Sequence, residues 1–177
     1  MSERQVAELG PLLDTMVRAG RPPDTDELAK MAQTLGEMFG VDADEVAILS
    51  VSSKSKSLKF VIPEKLALVG SIPLTSTAAL AARTARERKA DLLNNFGTSR
   101  HASVFEGVPL GRDVGETIHK IMSAPILDGT KVMGVIQISR KGRSVSASGP
   151  DFTQKDLRAL TSLSPALELF LKLCQVE

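Results

Sequence analysis

Few residues in this 177-residue chain are of a type that does chemistry unaided. His101 and His119 are its two imidazoles and Cys174 is its single thiol. One thiol closes no internal disulfide, supplies no Cys-based zinc site and runs no two-cysteine redox cycle within one chain. Cys174 therefore reads as a small buried hydrophobe on the last helix. The two histidines lack a ligand cluster at metal spacing, so no metal site is expected, and each reads as a surface or hydrogen-bonded imidazole. No Ser-His-acid or paired-carboxylate constellation stands at interpretable spacing, and no catalytic residue is assigned. The densest charge is Arg83, Arg86, Arg88 and Lys89. Helical spacing puts Arg83 and Arg86 on one face that could meet phosphate, but Glu87 and Asp91 partly neutralise it and favour a solvated surface.

Composition narrows the classes further. With 22 Lys and Arg against 21 Asp and Glu, the net charge is +1, so no global field attracts nucleic acid or an anionic membrane. Six Phe and no Trp or Tyr leave little for stacking a nucleic-acid base. The apolar runs fall short of the roughly 18 residues of a membrane span, and MSERQVAEL lacks the apolar core of a secretory signal, so a cytoplasmic protein is expected. The length suits one core with helical extensions.

The elements that must position these residues follow in order. Val6, Leu9, Leu13, Met16 and Val17 put an apolar stripe on a first helix, with a kink or a start near Gly10-Pro11. Asp24 caps a second helix, with Glu27 completing the capping box, and Gly40 ends it. EVAILSV (45–51) and LKFVIP (58–63) form a hairpin across the polar loop SSKSKS. Ser76 or Thr77 caps an alanine-rich third helix. A long polar connection after Asn94-Asn95-Phe96 carries Arg100, His101, Phe105 and Glu106, and loops of that length are usually functional or mobile. The stretch IMSAPILDGTKVMGVIQISRKG (121–142) is a central hairpin turning at Asp128-Gly129. Thr153 caps the last helix, helped by Asp156, and Pro165 bends it or marks a restart capped by Ser164. Its two apolar stripes call for two partners: the sheet of the same chain, and either the first helix or a second subunit. The result is an α/β (α+β) fold, a central antiparallel sheet with helices packed on it.

SAPILDGTKVMGVIQISRKG followed by DFTQKDLRAL resembles the GAF domain family, small-molecule-sensing modules of signalling proteins. STAALAARTARERKADLLNNF is similar to that family's small-residue helix and short apolar strand. The likeness spans about residues 24 to 174 and implies a GAF/PAS-like sandwich, with 1–22 a helical extension and 23–177 the domain. Members that bind cyclic nucleotides carry Asn-Lys, then Phe, three residues, Asp and Glu. Lys141, Phe152 and Asp156 match that pattern, whereas Arg140 and Leu157 depart from it and weigh against cyclic nucleotides. The resemblance implies a bracing contact between Lys141 and Asp156. Bilin-binding and methionine-sulfoxide-reducing members rely on cysteines that the lone Cys174 does not replace.

The function implied is a non-enzymatic sensory or regulatory module, dimeric through its terminal helices, with no cofactor assigned. Its small molecule would sit between the sheet and the long connection, near Ser76, Thr77, Asn94, Asn95, Phe96, Arg100, His101, Phe105 and Thr117. Closure of the connection on the ligand would then re-angle the terminal helices. The alternative is an adaptor that dimerises or docks a protein partner in trans, its pocket filled by Phe96, Phe105 and Met122.

Overall fold

The computed structural model describes residues 9–96 and 116–175. Two strands of 12 residues each, β5 (Thr117–Asp128) and β6 (Lys131–Gly142), form its longest antiparallel pair among the described residues. The hairpin begins four residues before Ile121, and its turn lies one residue later than the sequence suggests. Asp128 still pairs with Lys131, and Gly129, with φ 61°, opens the two-residue loop. Glycine adopts that positive φ without the steric cost an L side chain would meet.

Around this pair β1 (Val46–Ser52), β2 (Ser57–Ile62), β3 (Ser71–Pro73) and β4 (Asp91–Leu93) complete a six-stranded sheet ordered β3-β2-β1-β6-β5-β4. Every neighbouring pair is antiparallel. Five helices accompany it among the described residues: α1 (Leu9–Ala19), α2 (Thr25–Phe39), α3 (Leu80–Glu87), α4 (Gln154–Thr161) and α5 (Ser164–Cys174). The α+β sandwich expected from the element order is the fold observed.

Local chemistry explains most of the boundaries. In α2 the Glu27 N–H donates to Asp24 Oδ1 (2.9 Å) and the Asp24 N–H to Glu27 Oε1 (3.1 Å), and Gly40 closes the helix in the left-handed conformation. The third helix starts later than expected. Ser76 closes a turn onto the Pro73 carbonyl, and its hydroxyl accepts the Ala79 N–H (3.2 Å), so it orders the turn ahead of α3. The last helix restarts at Ser164 with Pro165 in its first turn, where a missing N–H costs no hydrogen bond, and the N-cap is Leu163, not Ser164. Its hydroxyl accepts the Leu127 N–H (3.0 Å), at the point where the β5–β6 register shifts between Ile126 and Leu127. A ladder irregularity leaves that N–H to be satisfied from outside the sheet.

Strand alternation gives the sheet two different faces. Val46, Ile48, Met122, Ala124, Ile126, Ile136 and Ile138 build the larger core with α1, α2, α4 and α5, where Met31, Leu35, Leu167 and Phe170 are fully buried. Helix α5 lies on β5 and β6 and also packs against α1, which buries Leu163, Leu167 and Phe170 and leaves Leu169 exposed. The approach is close. A Cβ on Gly134 would stand 2.1 Å from the Leu49 carbonyl oxygen and 2.7 Å from Leu171 Cδ1.

The expected Lys141–Asp156 contact is not formed. Lys141 Nζ donates to the Asp44 carbonyl (2.9 Å) and its backbone N–H to Glu45 Oε2 (2.6 Å). Asp156 accepts the Thr153 N–H (2.8 Å), while the Asp156 N–H donates to the Thr153 hydroxyl (3.2 Å). An acid at the third position of a helix serves the orphan N–H groups and the dipole there, and that local demand takes the carboxylate.

Candidate functional site

The second face of the sheet carries α3, and its middle is polar. Leu49, Leu58, Phe60 and Val135 pack with Ala81 and Ala85 on one side, and Leu80, Phe96 and Ile121 form a smaller cluster on the other. Between them Thr84 shares a 2.7 Å hydrogen bond with Ser123, Gln137 donates to the Ser123 hydroxyl (3.2 Å), and Thr84 donates to the Leu80 carbonyl (3.0 Å). Thr84 is 2% exposed and Ser123 0%. Buried hydroxyls are costly unless bonded, and here each is bonded. Ser123 and Gln137 face each other across the β5–β6 ladder, so the sheet itself fixes two of the three groups. Small Ala81, Ala82 and Ala85 let α3 come down close enough to supply the third.

A shallow groove opens beside Thr84, lined also by Arg83, Glu87, Lys89 and Asp91. Arg83 spans it to Asp91 at 2.5 Å. The other arginines of this stretch hold the backbone: Arg86 donates to the Leu74 (2.5 Å) and Ser76 (2.7 Å) carbonyls, and Arg88 to the Thr130 carbonyl (3.1 Å). The three arginines are thus engaged by local acceptors, and the groove is lined by two cationic and two anionic side chains.

The profile of the GAF domain family matches residues 24–172. This chain belongs to the GAF domain family. Members of that family are in general small-molecule-sensing signalling modules. Among solved structures, the GAF domain of an Acinetobacter phosphoenolpyruvate-protein phosphotransferase is 18% identical with TM-score 0.67, covering 97% of this chain and 95% of that one. A segment of a methyl-accepting chemotaxis protein, residues 122 to 287, is 16% identical with TM-score 0.63, over 92% and 96%. The free methionine-R-sulfoxide reductase of Neisseria meningitidis, solved with its substrate, is 17% identical with TM-score 0.58, over 98% and 93%. At such identities the likeness speaks for the fold alone, and the last case shows that this fold also carries an enzyme. A search of curated proteins gave no match.

In this GAF domain the candidate ligand residues that the structure describes sit on separate elements. Ser76 and Thr77 lie in the turn before α3, Ser76 half-buried and Thr77 exposed. Asn94 is committed to structure: its Nδ2 donates to the Phe152 carbonyl (3.0 Å) and its Oδ1 accepts the Phe152 N–H (2.9 Å). Asn95 is exposed beside it, and Phe96 is buried against Leu80 and Ile121. Thr117 is exposed at the start of β5, opposite Gly142. Arg100, His101 and Phe105 lie outside the described residues. Phe96 packs inward as the adaptor reading requires, but Met122 belongs to the opposite core, with Ala124 and Ile126 on the same face of β5. Thr84, Ser123 and Gln137 were missed. Their signal was a hydroxyl on the buried face of an alanine-rich helix and two polar residues inside apolar strands.

The remaining reactive groups are settled locally. His119 Nε2 lies 3.0 Å from the Gly142 carbonyl, the hydrogen-bonded imidazole expected of it. Cys174 is half-buried, and desolvation pushes its thiol up to about 12, well away from a reactive thiolate at neutral pH. Asp42, Asp44 and Glu45 bring carboxylate oxygens within 4.8 Å of one another, a grouping not noted from the sequence. Glu45 accepts the Asp42 N–H (2.9 Å) as well as that of Lys141, which ties it into the backbone. No helix among the described residues is long and apolar enough to cross a membrane.

Proposed function

We propose that this GAF domain is a non-enzymatic sensory module that takes a small polar molecule at the groove over Thr84. The observation that carries the reading is the Thr84–Ser123–Gln137 set, two buried hydroxyls and a half-buried amide held in fixed positions between two apolar clusters, as ligand sites commonly place polar groups. The mixed charge of Arg83, Lys89, Glu87 and Asp91 favours a ligand carrying both signs, such as an amino acid, over a polyanion. Thermal denaturation with amino acids, nucleotides and carboxylic acids tests this. At about 100 times its Kd, one member should raise the melting midpoint by roughly 5–10 °C, and Thr84→Val should abolish that shift. A flat response across the panel contradicts the proposal.

Dimerisation through the terminal helices is a second part of the reading. Val17 on α1 and Leu169 on α5 are 48% and 41% exposed, on two helices that pack together at the edge of the larger core. Light scattering should give twice the chain mass, falling to one chain mass in Leu169→Glu. A monomer at all concentrations contradicts it.

A further inference from the structure

The groove lies on one face of the sheet and helices α2 and α4 on the other, and one connected set of groups runs from the groove face to those helices. Phe96, on the groove face, packs against Leu80 of α3 and Ile121 of β5. Two residues earlier, Asn94 grips both the N–H and the carbonyl of Phe152 at 2.9 and 3.0 Å. Such a two-point bond to one residue fixes orientation as well as distance, so Phe152 follows any displacement of Asn94. The Phe152 ring is 3% exposed and lies under the Arg140 guanidinium, 4.7 Å from Cζ to ring centroid. Arg140 in turn donates to the Gly40 (3.0 Å) and Phe39 (3.3 Å) carbonyls, the last two of α2 and its cap.

The opposite side of Phe152 is anchored. Lys120, cross-strand partner of Arg140, is 4% exposed and donates to the Gly149 carbonyl (2.5 Å) and the Asp151 carboxylate (2.9 Å). Two cations directly opposite on one face repel, and each is held apart by its own acceptors. Segment 149–151 is therefore pinned to the sheet while Phe152 hangs between Asn94 and Arg140, and Thr153 beyond it caps α4. Arg140 Nε is buried without a hydrogen-bond partner among the described residues. A buried donor left unmade persists only where the surroundings hold the group in place.

We propose that Asn94, Phe152 and Arg140 form a mechanical link that passes displacement of the chain leaving β4 to the start of α4 and to the end of α2. In the sensory reading above, this is the route by which occupancy of one face would re-angle the helices of the other. It rests on that reading for its purpose but not for its test. Amide hydrogen exchange of the full chain without added ligand is the experiment, each rate taken relative to the β1 and β2 amides of the same protein. Asn94→Leu should accelerate the amide of Phe152, those of Asp156 and Leu157, and those of Gly40 and Val41, each by about fivefold or more. Phe152→Leu keeps the backbone grip but removes the ring, so it should accelerate Gly40 and Val41 and leave the amide of residue 152 protected. The link is overturned if the effect of Asn94→Leu stops at α4, or if it is uniform across β1 and β2. Either result leaves ligand binding at the groove untouched, because no ligand enters the measurement.

Discussion

Gly134→Ala is expected to destabilise the domain by about 3 kcal/mol or more, lowering the melting midpoint by roughly 6–12 °C. The added methyl would meet the Leu49 carbonyl oxygen at 2.1 Å and Leu171 Cδ1 at 2.7 Å. The first neighbour is backbone of the strand paired with β6, which moves only by disrupting the ladder, so rotamer adjustment of Leu171 does not relieve the clash. Gly134 lies in ordinary extended backbone, so the cost is spatial and owes nothing to glycine's freedom in φ. Gly10→Ala is the control: nothing lies within 4 Å of its Cβ in the first turn of α1, and alanine favours helix there. That variant should match or slightly exceed the parent in the same denaturation.

Phe152→Ala is the other large effect, expected at about 3–5 kcal/mol in denaturant unfolding. The ring is buried in the larger core, and its loss leaves a cavity bounded by a sheet and helices that cannot close on it together. The contact with Arg140 adds a smaller part, about 0.5–1 kcal/mol, so burial decides the size. Phe152→Leu, which keeps most of the volume, should cost less than about half as much. Equal losses for the two would mean that the ring's contact with Arg140, and not its volume, dominates.

Much of the architecture could be read from residue patterns because the signals were local. Asp24 with Glu27, Thr153 with Asp156, and Pro165 are each interpretable within one helical turn, and all three act where they were expected to. Reading failed where a residue had two possible partners. Ser164 and Ser76 are good caps by type, but one was claimed by an unpaired strand N–H and the other by the turn before α3. Asp156 was expected to pair with Lys141 across the fold, and the capping geometry of its own helix took it. The site was least legible. Asn94 looks like a ligand residue because it is polar and follows a strand, and only the fold reveals Phe152 at its side chain. Conversely Thr84, Ser123 and Gln137, 39 and 14 residues apart in sequence, meet only once α3 is laid on the sheet.

The most direct test of the account follows backbone amide shifts while a ligand found in the denaturation screen is titrated into the labelled protein. The account predicts that the largest perturbations fall at Thr84, Ser123 and Gln137, with a second set at Phe152 and Gly40. Perturbations confined to α1 and α5, with Thr84 and Ser123 unmoved, would contradict it and leave the terminal helices as the surface that binds.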